Sequence, residues 1–158
     1  MQLDSIKESV LEIINGVKEK GDEALIGLTN KFDEVKLETS DIRVSKKEFQ
    51  SAYEKIDDRL LDALRHAKRN LIKFHEAQKQ EEWMIEVEKG VNAGQVYRPL
   101  ESVGLYIPGG KAIYPSTVLM AATPAYVAGV KQIIICSPHQ KNGQIAPEIL
   151  VAAREFEI

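Results

Sequence analysis

Two short apolar runs alternate with two longer helical patterns in the C-terminal part of the sequence, and this alternation limits the possible folds most. Val103–Ile107 and Gln132–Cys136 have the length and composition of strands, whereas Ser116–Ala128 and Pro147–Glu155 have the composition of helices. Strands joined by a helix-length crossover run parallel. Because both runs are apolar without alternation, we expect helices on both faces of their sheet. The pattern predicts an α/β fold.

The region before residue 83 is predicted to be helical. Apolar residues recur there at helical spacing, and capping residues precede several of the segments. Ser45 and Glu48 have the spacing of a capping box. The four predicted helices cover residues 4–20 with Asp4 or Ser5 as the cap, a segment that begins at Asp22 after the break at Gly21, a short helix after Ser45, and a long helix from Asp57 or Asp58 to about Gln80.

A β-hairpin is predicted between the helical region and the α/β unit. Trp83–Glu88 and Gly94–Arg98 alternate apolar and polar residues, and Gly90 and Asn92 between them favour a turn. Further along, Pro124 is expected to kink or split the helix that contains it.

The pattern ends with a helix, and no third strand follows it before Ile158. A parallel sheet of two strands is thin, since parallel pairing is found mainly inside larger sheets. We therefore expect a fold that is truncated.

Composition excludes several classes of function. The net charge is −3 and the pI is about 5.7, which disfavours nucleic acid as a partner. The single cysteine, Cys136, excludes an internal disulfide, and its position at the end of an apolar run predicts a small buried side chain. The N-terminus does not resemble a signal peptide, and no stretch reaches 18 apolar residues. The sequence therefore predicts a cytoplasmic protein without a membrane segment.

The loop from Tyr106 to Pro115 has a lysine after two glycines, yet it is not a P-loop. Ala112 stands where a P-loop requires Ser or Thr, and the glycine spacing does not fit G-x-G-x-x-G either. The glycines allow close backbone approach, and the amides of Ser116 and Thr117 could attract an anion at the helix start. A tight strand–helix connection without a ligand explains the same residues. Both interpretations stay open at this point.

No catalytic constellation is evident in the sequence. His75-Glu76 is not followed by the second histidine of a zinc motif, because position 79 is Lys, so His66 and His75 are interpreted as packed or surface residues. His139 follows the second parallel strand, at the end where open α/β sheets bind ligands. The residues themselves therefore predict a binding site, with no catalytic or metal-binding residue.

Two longer motifs resemble the histidinol dehydrogenase family. They are Val103–Ala112 and Pro115–Val130, and similar motifs occur at Lys20–Leu25, Arg98–Gly104 and Ile134–Pro138. The resemblance covers essentially the whole chain. It implies a helical N-terminal segment and a hairpin, residues 1–101, that lead into an incomplete Rossmann-like parallel βαβα unit, residues 102–158, which is the first half of an NAD-binding domain.

The resemblance also implies a function. The family oxidises L-histidinol to L-histidine through the aldehyde, with two NAD and a zinc ion, in the last step of histidine biosynthesis, and its members are homodimers. It implies that Tyr106 and Pro108 contact NAD and that Pro138 is a further cofactor contact. The family's zinc ligands and acid–base pair do not map onto this chain, so we expect a chain that is inactive alone. The alternative is a stand-alone nucleotide-binding or assembly module.

Overall fold

The computed structural model describes residues 2–33, 35–109, 112–140 and 142–158, and not the side chains of residues 2 and 3. The order of elements is four helices, a hairpin, and an alternating strand–helix unit. The helices are α1 (Gln2–Lys20), α2 (Asp22–Asp33), α3 (Lys46–Lys55), α4 (Asp58–Glu76), α5 (Pro115–Ala128) and α6 (Pro147–Arg154), the strands are β1 (Trp83–Glu88), β2 (Val91–Gln95), β3 (Ser102–Tyr106) and β4 (Gln132–Cys136), and a 3-10 turn covers Thr39–Asp41.

The starts of α3 and α4 follow the predicted caps. The Glu48 amide donates to Ser45 Oγ at 3.3 Å, and the Ser45 amide donates to Glu48 Oε2 at 2.8 Å, which completes the capping box. Asp57 caps α4 by accepting from the Arg59 amide at 2.6 Å. The end of α4 was predicted wrongly, since the helix stops at Glu76 and not near Gln80.

The N-terminal pair α1 and α2 is separated at Gly21, as predicted. Gly21 has a φ of 55°, a conformation that glycine adopts without steric strain. The predicted cap at Asp4 or Ser5 is wrong, because α1 begins at Gln2 and both residues lie inside its first turn. Helix boundaries depend on local competition among several polar residues, and Asp4 instead places its negative charge near the positive end of the helix dipole.

The hairpin forms with an earlier second strand than predicted. β1 and β2 pair antiparallel, with Trp83 opposite Gln95 and Glu86 opposite Asn92. The turn uses Gly90 at a φ of 81°, so Asn92 lies in β2 and not in the turn. The register shifts between Glu86 and Glu88, which marks a bulge next to the turn.

The α/β unit has the predicted parallel pair. β3 and β4 run side by side, from Ser102 opposite Gln132 to Tyr106 opposite Cys136, and α5 is the crossover between them. α5 continues through Pro124 as one helix, so the predicted split is wrong. It ends at Gly129, which has a φ of 82° and the left-handed conformation common after a helix.

The core lies among the helices, on one side of the β3–β4 sheet. α5 and α6 contribute most of its buried residues, and α3 and α4 pack against them. Thr123 is the buried polar residue of this core, and its hydroxyl donates to the Leu119 carbonyl at 2.6 Å. The largest fully buried side chains are Ile107, Leu119, Val118, Val151 and Thr123.

The other face of this sheet is open, and the prediction of cover on both faces is wrong for the described residues. Burial alternates along both strands: Leu105 and Ile135 pack against the core, whereas Tyr106, Ile134 and Cys136 are exposed. Cys136 is therefore not the buried side chain that the sequence predicted. The apolar run was interpreted correctly as a strand, but what covers a strand is not encoded in the strand itself.

A polar cluster fixes the end of α6 to α3 and α4. The Glu155 carboxylate accepts a hydrogen bond from the Tyr53 hydroxyl at 3.0 Å, and it forms an ion pair with Arg65, whose Nε lies 3.2 Å from Oε2. Lys68 donates to the Glu155 carbonyl and lies 4.7 Å from the centre of the Phe156 ring. Desolvation, followed by the hydrogen bond to Glu155, raises the pKa of Tyr53. These contacts hold the helical layer behind the sheet.

None of the helices within the described ranges combines the length and the apolar character needed to cross a bilayer.

Candidate functional site

The carboxyl ends of β3 and β4 lie side by side, where the sequence predicted a binding site. Tyr106 and Cys136 are register partners, and the Ile107 amide donates to the Cys136 carbonyl at 2.9 Å. In a parallel ladder the next hydrogen bond would come from the amide of residue 138. Pro138 has no amide hydrogen, so the ladder ends here and the two strands separate into loops.

The two predicted contact prolines occupy equivalent places after their strands. Pro108 lies two residues after Tyr106, and Pro138 lies two residues after Cys136. The loops that carry them touch, because the position of a Cβ atom on Gly109 would lie 2.9 Å from Pro138 Cγ. Gly110 and Lys111, which belong to the same predicted loop, lie outside the described residues.

A narrow groove runs between these loops and the start of α6. Its enclosed volume is about 20 Å³, which is room for roughly one water molecule. Because this volume is so small, a cofactor the size of a dinucleotide would lie across the open surface and not inside the groove. The lining includes Pro108, Gly109, Ala112, Ile113, Pro138 and Gln140.

Tyr106 is the most accessible aromatic side chain of this surface. It is 70% exposed, and it lies on the same open face of the sheet as Ile134 and Cys136. An aromatic ring held at a strand end on an apolar surface can stack against the flat ring of a ligand, and its hydroxyl can hydrogen-bond. The arrangement can bind a planar group.

The predicted anion site at the start of α5 is weaker than the sequence implied. Pro115 has no amide hydrogen, and the Thr117 amide donates to the Tyr114 carbonyl at 3.1 Å. Thr117 was one of the two predicted anion-binding amides, and its hydrogen is used inside the turn. Ser116 is the other predicted residue, and the hydrogen bond of this turn does not use its amide.

The histidines are placed as the sequence predicted. Asn70 Nδ2 lies at hydrogen-bond distance, 3.1 Å, from His66 Nε2, and His75 Nδ1 lies 2.6 Å from Gln78 Oε1. Gln78 follows α4, and the other three residues belong to it. His139 is half-buried and directly follows Pro138. Among the residues that the structure describes, no group of three or more His, Cys, Asp and Glu side chains is close enough to hold a metal ion.

Comparison with known proteins decides the family. The family model described as histidinol dehydrogenase matches residues 1–158. The chain belongs to the histidinol dehydrogenase family. Histidinol dehydrogenase from Oceanobacillus iheyensis is 49% identical over 94% of this chain and 34% of its own length, and that from Methanothermobacter thermautotrophicus is 44% identical over 97% and 35%. A solved histidinol dehydrogenase from Elizabethkingia anophelis superposes with a TM-score of 0.90 at 42% identity, over 97% of this chain and 35% of that one.

This member of the histidinol dehydrogenase family spans about a third of the length of the curated relatives that it matches. It covers 35% of the Methanothermobacter protein, for example. The match confirms the family that the motifs predicted, and the superposition confirms the fold class. The roles of Tyr106, Pro108 and Pro138 stay predictions, although the structure brings the three residues to one edge of the sheet.

Sequence reasoning missed two features of this edge. It placed Cys136 in the core; the two predicted strands, aligned end to end, pair Cys136 with Ile107, whereas the observed register pairs it with the exposed Tyr106. It also missed the contact between Gly109 and Pro138, which are 29 positions apart. No local pattern marks that contact.

Proposed function

We propose that this chain forms the NAD-contacting part of a histidinol dehydrogenase, the enzyme that oxidises L-histidinol to L-histidine through the aldehyde at the end of histidine biosynthesis. The observation that carries the proposal is the family match over residues 1–158 together with a TM-score of 0.90 to a solved histidinol dehydrogenase. Because the chain matches about a third of its relatives, 35% of one of them, the complete activity is proposed for an enzyme with the rest of the family sequence.

The residues at the open edge of the sheet fit NAD. Tyr106 offers an exposed aromatic face. Pro108 and Pro138 offer apolar contacts at matching places on the two loops that follow β3 and β4. NAD, when bound, supplies the hydride acceptor of each oxidation step. In this proposal Tyr106 stacks against a ring of the cofactor, and the two loops set its position and keep water from its apolar face.

The described residues do not fit zinc. No cluster of His, Cys, Asp and Glu suited to a metal exists among them, and the zinc ligands that the family resemblance implies do not map onto this sequence. The proposal is that zinc and the groups that move the proton come from family sequence outside the matched third, and that this chain alone does not turn over. The proposed complete enzyme is a cytoplasmic homodimer.

A chimaera tests the proposal. The matched segment of the Oceanobacillus iheyensis enzyme, which is 49% identical, is replaced by this chain. NADH formation from L-histidinol is then measured with zinc and NAD supplied. The proposal expects turnover that depends on both substrates. A soluble, folded chimaera that binds L-histidinol but does not bind NAD would contradict it.

A binding or assembly module is the other outcome. If this chain alone binds NAD while the chimaera does not form NADH, the chain is a nucleotide-binding module without a role in this reaction. A titration of NAD into the 158-residue chain, together with the NADH assay of the chimaera, separates the two cases.

A further inference from the structure

We propose that Gly109 is a positioning residue for the cofactor, because its lack of a side chain lets the loops after β3 and β4 pack against each other. This contact sets the spacing between Pro108 and Pro138. The inference rests on the proposed function, since it assigns a role to a residue that does not itself have to touch NAD.

The requirement for glycine here is steric. A Cβ atom on Gly109 would lie 2.9 Å from Pro138 Cγ, 3.4 Å from Pro138 Cδ and 3.6 Å from the Pro138 carbonyl oxygen. The first distance is shorter than real Cβ contacts, and the atom that it meets, Pro138 Cγ, belongs to a closed ring that changes pucker but has no other rotamer. The φ of Gly109 does not lie in the left-handed region, in contrast to Gly129 and Gly143. Alanine is therefore compatible with the backbone conformation, and the neighbouring loop is what excludes it.

The Pro138 side of the contact is held more firmly than the Gly109 side. The hydrogen bond from the Ile107 amide to the Cys136 carbonyl lies at the base of both loops and holds both of them. Beyond Pro138, which is half-buried, the Gln140 amide donates to the Gln144 carbonyl at 2.8 Å, and the Gly143 amide donates to the Gln140 carbonyl at 2.8 Å. Pro108 and Gly109, by contrast, are exposed. A side chain at position 109 would therefore displace the loop that carries Pro108.

The size of that displacement predicts the effect on binding. The two atoms have to separate from 2.9 Å to at least 3.4 Å, the start of ordinary contact. A misplacement of ~1 Å can cost ~100-fold in catalytic rate. We expect the smaller shift here to have a smaller effect, and we expect it to raise the dissociation constant for NAD by about tenfold. We expect the KM for L-histidinol to change much less, because the displaced loop belongs to the cofactor edge.

A double-mutant cycle tests the contact and its consequence. The variants are Gly109→Ala, Pro138→Ala, which removes Cγ and Cδ, and the pair together. Gly16→Ala is the matched control, since a Cβ atom at Gly16 meets nothing within 4 Å and the residue lies in α1. Unfolding by urea is measured in the 158-residue chain, and NAD binding is measured by calorimetry in the chimaera with the Oceanobacillus iheyensis enzyme. The new amide at position 138 is present in both members that carry Pro138→Ala, so its effect cancels in the cycle.

The expected result is a rise of about tenfold in the NAD dissociation constant for Gly109→Ala, which becomes much smaller when Pro138→Ala is already present. Gly16→Ala should bind NAD like the parent. If Gly109→Ala binds NAD like the parent, or if its effect is equally large without the Pro138 ring, the inference is wrong while the proposed function stands. If the parent chimaera does not bind NAD, the proposed function itself fails, and the unfolding cycle alone still reports whether the two loops are in contact.

Discussion

Tyr106 is the residue on which the proposed cofactor site depends most, and its exposure makes its role separable from folding. The side chain is 70% exposed at the end of β3, so its removal takes away little packing. In the chimaera we expect Tyr106→Ala to weaken NAD binding by about 1–3 kcal/mol, through loss of stacking and of a hydrogen bond.

The substitution Tyr106→Phe separates these two contributions, because it keeps the ring. It should lose only the part due to the hydroxyl, and both variants should unfold within ~0.5 kcal/mol of the parent, as is usual for an exposed position. NAD titration measured by calorimetry gives the first quantity and urea unfolding the second. Unchanged NAD affinity in Tyr106→Ala would remove Tyr106 from the cofactor site.

Tyr53 allows a prediction about pH. Its hydroxyl donates to Glu155 at 3.0 Å, and desolvation, followed by this hydrogen bond, raises its pKa above the usual value of 10.0. A group whose pKa is raised on folding contributes stability that is fully present below its unfolded pKa and is lost as the pH rises through its folded pKa. The contribution of Tyr53 should therefore decline above about pH 10.

The variant Tyr53→Phe measures that contribution. We expect it to lower the free energy of unfolding by about 1 kcal/mol at neutral pH, because the hydrogen bond to Glu155 is lost. Denaturant unfolding of both proteins from pH 7 upward should give a difference that shrinks at alkaline pH. A difference that grows as the pH rises would show that the sign of the coupling is wrong.

At the scale of single residues, the sequence supplied candidate residues but did not predict what surrounds them. Tyr106, Pro108 and Pro138 were identified from a motif, and the strand register then placed them at one edge. Cys136 was predicted to be buried and is exposed, because exposure depends on whether anything covers the second face of the sheet. The contact between Gly109 and Pro138 could not be predicted, since distance in space between loops leaves no periodicity in the sequence.

Strand β4 is one apolar run whose side chains point to two different surfaces. Ile134 and Ile135 are neighbours with the same side chain, yet Ile135 packs against the core and Ile134 is 49% exposed. We expect Ile135→Ala to destabilise the chain by about 2 kcal/mol or more. Ile134→Ala should change the free energy of unfolding by less than about 1 kcal/mol, since it creates no cavity. Equal losses in urea unfolding would mean that both faces of the strand are packed.

Element boundaries were predictable where the signal is local. The capping box at Ser45 and the cap at Asp57 were located from the sequence because a cap involves residues two or three positions apart. The end of α4 near Gln80 and the start of β2 at Gly94 were placed wrongly. The end of α4 lies in a polar stretch without a strong breaker, whereas Gly90 and Gly94 offered two possible starts for β2.

The surface of the whole molecule is larger than that of a compact monomer. Its accessible area is 12071 Å² for a mass of 17.7 kDa, whereas compact monomers of this mass have about 8,000 Å². Many large apolar side chains are exposed on this surface. The exposed apolar side chains of the hairpin and the open sheet face include Trp83, Met84, Ile85, Val87, Val91, Tyr106 and Ile134.

Such a surface predicts self-association of the isolated chain. Exposed apolar patches of this extent are usually covered by other protein. We expect sedimentation to show species larger than 17.7 kDa at micromolar concentration, and we expect Ile134→Lys to reduce them, because it places a charge on the open sheet face. A parent chain that sediments as one compact monomer and melts cooperatively would contradict this expectation.

The most direct test of the central claim is NADH formation from L-histidinol by two proteins, each supplied with zinc and NAD. One is the 158-residue chain, and the other is the Oceanobacillus iheyensis enzyme in which this chain replaces the matched third, which covers 34% of that enzyme. We expect no turnover by the chain alone, and we expect turnover by the chimaera that is lowered by Tyr106→Ala. Turnover proportional to the isolated chain would contradict it, because the catalytic groups would then lie within these residues.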